Sequence, residues 1–150
     1  MAFGYSHSVI LRPRLSDLLF RRLCRARDRA RAEFSGRVDL ETLAREASLS
    51  TWHFHRLFTA TFGVSPHDYL TELRIKHAKR LLASGEYSVT EVCFETGYSS
   101  LGSFSTRFRQ LVGYSPLAYQ REVRRVFGAA ASVRYDFLPT CFLIHFAGHE

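Results

Sequence analysis

A chain of 150 residues with a formal net charge of +7 and a pI near 9.8 has room for one domain with a core, or for two very small helical lobes, but not for a full catalytic domain beside a second one. Hydrophobic residues at 46% and charged residues at 23% argue for a folded chain, and the mostly arginine positive charge favours a polyanion whose condensed counterions it can release. No apolar run reaches the roughly 18 residues of a bilayer span, the start MAFGYSHSVILRPR lacks a signal-peptide layout, and Cys24, Cys93 and Cys141 have no disulfide or zinc spacing, so a cytoplasmic protein with no membrane partner is expected.

In chain order, residues 1–15 read as an N-terminal extension. Ser16 to Phe34 reads as a helix in which Leu18, Leu19, Leu23, Ala26 and Ala30 form an apolar stripe beside a run of arginines, with Asp17 favourably placed in the first turn. The basic face has two uses, as a solvated surface or as a phosphate contact. Next comes a short amphipathic segment, LETLAREASLS (Leu40 to Ser50), with Asp39 ahead of it as a helix cap.

Ser50 to Phe62, STWHFHRLFTATF, puts Phe54, Leu57, Phe58 and Thr61 on one helical face and Trp52, His55, Arg56 and Thr59 on the other. An outward tryptophan beside an arginine needs a reason. In a major groove Arg56 can donate two bonds to guanine, Trp52 can pack on thymine methyls or sugar, and His55 and Thr59 can reach base edges. Gly63-Val64-Ser65-Pro66 then supplies a stop, a cap and a first helical residue. Pro66 to Ser84 reads as one long helix with Leu70, Leu73, Ala78, Leu81 and Leu82 available for burial. Its length of about 28 Å is near the roughly 34 Å between successive major grooves on one side of a duplex.

The chain then repeats itself. FGVSPHDYL (Phe62 to Leu70) returns as VGYSPLAYQ (Val112 to Gln120), displaced by 50 residues, and Phe54 and Phe58 map onto Phe104 and Phe108. SVTEVCFETGYSS (Ser88 to Ser100) is the second short segment, opened by the Ser88-x-x-Glu91 capping box and carrying Gly97 at a turn one residue longer than in the first copy. In SLGSFSTRFRQLV (Ser100 to Val112), Leu101, Phe104, Phe108 and Leu111 form the expected inner face, while Gly102, Ser103, Thr106 and Gln110 look outward. These small groups permit close approach to bases, and only Gln110 offers bidentate readout. Arg107 and Arg109 on the flanks suit phosphate, as do Ser50, Thr51 and Ser100 at the helix starts. The first unit is therefore expected to supply most base discrimination and the second mainly affinity and register.

Two copies of a helix-turn-helix unit give an all-α fold: a domain over residues 16–125, with the first unit about 16–65, a connecting helix 66–84 and the second unit about 86–125. Residues 126–150 form an apolar tail, aromatic and β-branched enough to favour an extended segment broken at Pro139. Such a tail either docks on its own domain or closes a dimer or partner interface.

The stretch from about Val38 to Arg125 resembles the double helix-turn-helix DNA-binding domain of the AraC/XylS transcription regulators. LAREASLSTWHFHRLFTATFGVSPHDYL, RIKHAKRLL and SVTEVCFETGYSSLGSFSTRFRQLVGYSPLAYQRE carry the likeness in order and spacing. It implies seven helices in two lobes, each with its second helix in a major groove. It also implies base contact by Trp52, His55 and Arg56 on the first recognition helix and by Gly102, Ser103, Ser105 and Thr106 on the second. The length is similar to the short stand-alone, MarA-like type. The implied activity is sequence-specific binding of double-stranded DNA by one monomer across about 20 base pairs, with RNA polymerase as a further partner and activation favoured over repression.

An enzyme is argued against because His53 and His55 diverge on a helix, no Cys, Asp or Glu completes a metal set near His145 and His149, and no nucleophile-base pair or phosphate-cradling loop occurs. No cofactor and no metal are expected. The remaining alternative is a protein-interaction module that works through the tail, with DNA binding secondary.

Overall fold

The computed structural model describes residues 16–36 and 38–127. Among these residues the chain forms seven helices and no strand: α1 (Asp17–Glu33), α2 (Leu40–Glu46), α3 (Thr51–Phe62), α4 (Pro66–Ser84), α5 (Val89–Glu95), α6 (Leu101–Val112) and α7 (Pro116–Phe127). The all-α expectation and the element order are met. α7 runs through Val126 and Phe127, the first two residues of the segment read as a tail, and the extended structure expected for the rest of that segment lies outside the described residues.

The helices end where the side chains dictate. The Asp39 carboxylate accepts from the Thr42 amide at 2.8 Å. Ser88 and Glu91 close a full capping box, at 3.2 Å and 2.7 Å, and that bonding pulls the Glu91 carboxyl below its ordinary pKa. Gly63 and Gly113 end α3 and α6 in the left-handed region, at φ +75° and +88°, which a residue without Cβ adopts at little cost.

Described residues fall into two compact units: residues 16–32 with Val38–Tyr69, and residues 33–36 with residues 70–127. In the first, Leu23, Ala26 and Ala30 of α1, Leu43 and Ala44 of α2, and Phe54 and Phe58 of α3 are removed from water. Phe58 sits at the centre of an aromatic ladder, with ring centroids 5.3 Å from Phe54, 4.6 Å from Phe62 and 5.7 Å from Tyr69. Each such phenyl contributes about 1.5–3 kcal/mol by burial alone. The Arg29–Glu46 ion pair at 3.0 Å is partly solvated and adds little.

The second unit repeats this arrangement with the 50-residue displacement read from the sequence. Phe108 lies 5.7 Å from Phe104 and 5.6 Å from Tyr119, within a core of Ile75, Ala78, Leu82, Val92, Cys93 and Val123. Burial holds the Cys93 thiol above its ordinary pKa. Gln120 donates to the Tyr87 carbonyl at 2.9 Å and Arg124 to the Gly85 carbonyl at 3.0 Å, tying α7 to the loop between α4 and α5.

Three positions expected inside are not. Leu18 of α1 is 61% exposed, and Leu101 and Leu111 of α6 are 42% and 49% exposed. Leu101 and Leu111 lie on the inner wheel face but at the ends of α6, beyond the reach of the core that covers the middle turns, whereas Leu18, in the first turn of α1, stands about 100° around the wheel from Leu19 and off the buried stripe of Leu23, Ala26 and Ala30. The counterparts of Leu101 and Leu111 in the first copy are Thr51 and Thr61, so the repeat marked those positions as not obligately apolar.

The two helix-turn-helix turns share one hydrogen-bond pattern. Leu49 N–H donates to Ala44 O at 2.9 Å, and Tyr98 N–H to Cys93 O at 3.1 Å. Both turns use a left-handed residue, Ser48 at φ +55° and Gly97 at φ +79°. Left-handed backbone costs a side-chain-bearing residue about 1–2 kcal/mol, partly offset by the greater unfolded entropy of glycine. Ser48 is exposed, so Ser48→Gly should raise stability by about 0.5 kcal/mol, measurable by urea unfolding; a loss of stability would contradict the strain assigned to this turn.

Candidate nucleic-acid interface

The first presenting helix is α3. Ser50 caps it, its Oγ accepting from the His53 amide at 3.3 Å, and Phe54 and Phe58 anchor its inner face, so His55 and Arg56 between them must face out. Trp52, His55 and Arg56 are exposed, Trp52 by 65%. Thr59 is half-buried and its hydroxyl donates to the His55 carbonyl at 2.8 Å, which leaves its methyl and lone pairs for an outside group. Thr51 is exposed beside the cap.

Arg56 stacks on the indole of Trp52, with its guanidinium carbon 4.6 Å from the ring centroid. Cation–π attraction at an exposed site is worth about 0.5–1 kcal/mol. It holds the guanidinium flat while leaving its N–H groups unspent, since among the described residues no carboxylate pairs with Arg56. A planar, exposed and unneutralised guanidinium is suited to a bidentate acceptor. His53, which the sequence reading did not select, is also exposed, 6.3 Å from the indole; its adjacency to Trp52 at the helix start was the available signal.

The second presenting helix is α6, and its outward chemistry differs. Ser100 caps it, accepting from the Ser103 amide at 3.2 Å and donating to the Ser103 hydroxyl at 2.9 Å. Gly102, Ser103, Thr106, Arg109 and Gln110 are exposed, while Ser105 and Arg107 are half-buried. Arg107 donates to the Gln110 side-chain oxygen at 3.4 Å, which occupies the acceptor end of the amide and leaves its NH2 outward. A Cβ added at Gly102 would meet nothing within 4 Å. Thus the position that carries tryptophan on α3 carries no side chain on α6, and nothing in the protein requires the absence. Leu101 and Leu111 are exposed on the opposite, inner side, at the two ends of α6.

The family described as "Helix-turn-helix domain" matches residues 43–122, which covers α3 through most of α7. The chain belongs to the AraC/XylS family of helix-turn-helix DNA-binding transcription regulators. It is 36% identical over 92 residues to the HTH-type transcriptional activator RhaS of Escherichia coli, covering 61% of this chain and 32% of that protein. Among solved structures, the C-terminal domain of AraT, a response regulator from Geobacillus stearothermophilus, aligns with TM-score 0.64 at 32% identity, covering 73% of this chain and 88% of that one. The DNA-binding domain of AdpA, a global transcriptional factor solved with a target DNA, aligns with TM-score 0.61 at 34% identity, covering 74% and 96%. The chain spans about a third of the length of the curated relatives it matches. The relatives it matches are described as transcription regulators, and the family binds double-stranded DNA. Among the described residues no helix is long and apolar enough to cross a membrane.

Trp52 is the only tryptophan in the chain, so the intrinsic fluorescence reports on α3 directly. Its emission should be that of a water-exposed indole and should be quenched readily by iodide, which the neighbouring Arg56 attracts. A blue-shifted emission insensitive to iodide would place the indole inside the unit and remove α3 as a presenting surface.

Proposed function

We propose that this chain is a sequence-specific transcription regulator that seats α3 and α6 in neighbouring major grooves of one DNA duplex. What supports the reading most is the α3 face: an exposed Trp52 with Arg56 stacked on it and left without a carboxylate partner. Arg56 donates two bonds to guanine, Trp52 packs on a thymine methyl or sugar, and His55 and Thr59 reach adjacent base edges. On α6, Gly102, Ser103, Ser105, Thr106 and Gln110 approach the bases closely. Ser50, Thr51, Ser100, Arg107 and Arg109 fix register through phosphate. The domain responsible is residues 16–125, acting in the cytoplasm at the nucleoid. The description of RhaS as an activator favours activation, which calls for contact with RNA polymerase.

Selection from a random DNA pool gives the site, after which Arg56→Ala should cost about 1–3 kcal/mol and relax preference at one base pair. Uniform weakening across all sequences would instead make Arg56 a phosphate contact. Gly102→Ala should move two measurements in opposite directions. The fold gains up to about 0.5–1 kcal/mol, because alanine is the better helix former and the space is open, whereas affinity for the selected site falls as the new methyl meets the duplex. A Gly102→Ala variant that binds as tightly as the parent would show that α6 keeps its distance at that point.

A further inference from the structure

The two helix-turn-helix turns have the same bonding but different left-handed residues, and the surroundings explain the difference. Ser48 of the first is exposed. Gly97 of the second is covered: a Cβ there would lie 3.0 Å from the Ser35 carbonyl oxygen and 3.4 Å from Arg74 Nε. Ser35 belongs to the turn that follows α1, Phe34 to Gly36, closed by a bond from the Gly36 amide to the Glu33 carbonyl at 2.9 Å. Although this turn precedes the first helix-turn-helix in the chain, it is part of the second compact unit.

Two contacts hold it there, and a third links them to the Gly97 turn. Arg74 of α4 donates from Nε to the Phe34 carbonyl at 2.8 Å across a part-buried path. The same guanidinium lies over the Tyr98 ring at 6.0 Å, so one side chain bridges the seated turn and the residue after Gly97. The Phe34 ring meets His77 edge-on at 5.2 Å, and burial, with Arg80 nearby, keeps that imidazole's pKa below its ordinary value and so favours its neutral form. Tyr98 in turn packs at 5.3 Å on Phe104 of α6. A continuous path of contacts runs from the Phe34 turn through Arg74 and Tyr98 to the inner anchor of the second presenting helix.

We infer that the Phe34–Gly36 turn is a buttress of the second helix-turn-helix, and that Phe34 and Arg74 are positioning residues for α6. They touch no DNA in the proposed mode. They fix the Gly97 turn, and through Tyr98 they fix the direction in which α6 presents Gly102, Ser103 and Thr106. Residues adjacent in sequence to the first unit therefore control reading by the second. The covered Gly97 follows from the same seat, since a side chain there would displace the Ser35 carbonyl as well as strain the backbone.

This inference concerns specificity only if the proposed DNA reading holds, so its test has an arm independent of DNA. In the full chain, Phe34→Ala and Arg74→Met should speed amide hydrogen exchange from Gly97 to Phe104 by about tenfold or more, while the amides of α3 keep their protection. On the selected DNA site, both variants should lose about tenfold of the discrimination at base pairs facing α6 and none at those facing α3. Unchanged exchange at Gly97–Phe104 in folded Arg74→Met would overturn the buttress, as would equal loss in both halves of the site. Should Phe34→Ala fail to fold, Arg74→Met alone decides, because it retains the chain length and apolar stem of the arginine. A parent chain with no selectable DNA site would defeat the proposed function and leave the exchange result to decide the buttress by itself.

Discussion

The outward face of each presenting helix exists because an aromatic pair one turn apart is pinned inside. Phe54 and Phe58 on α3, and Phe104 and Phe108 on α6, are fully buried and each pair is continued by a tyrosine from the following helix. Removing one such ring costs about 3–5 kcal/mol, so neither helix can roll about its axis without losing most of the stability a small unit has. With the roll angle fixed, the identity of the residues at intermediate positions becomes surface chemistry. The left-handed glycines and serine caps then fix where each helix starts and stops, so the length of the presented surface is set as firmly as its direction.

Much of this was legible in the residues. The 50-residue echo, the Gly-x-Ser-Pro stops and the capping box specify helix boundaries by local chemistry, and local chemistry survives tertiary context. The exposure of Trp52, His55 and Arg56 followed from a single wheel anchored on two phenylalanines. At Leu101 and Leu111, where expectation and structure part, helical periodicity described the correct azimuth but carried no information on how far along the axis the core reaches, and Leu18 lies off the azimuth of the buried Leu23, Ala26 and Ala30. Periodicity also could not reveal the Arg74–Phe34 bond, because the partner is a backbone carbonyl 40 residues away, and a carbonyl has no sequence signature. The difference between Ser48 and Gly97 was visible as letters, but its cause lay in a neighbour.

The two presenting helices have diverged in their outward chemistry. α3 carries bulk, aromatic surface and an available guanidinium; α6 carries serine, threonine, a bare glycine and exposed leucines. Gly102 is an exposed helical position where alanine would suit the isolated fold better, and in the proposed mode the glycine serves close approach to the duplex. Such local inconsistency between residue and fold is the pattern expected where binding competes with stability.

The seating of residues 33–36 makes the second unit discontinuous, and a discontinuous unit has a folding order built into it. During synthesis this short turn leaves the ribosome long before α4 and α5 can receive it, and closing so wide a loop carries an entropic cost that grows only slowly with length but must be met before the contact stabilises anything. The first lobe can therefore mature while its own chain is still waiting for a receptor downstream. By the same topology a fragment that begins at α4 would lack the piece that covers Gly97, so a single cut between the lobes does not yield two independent halves.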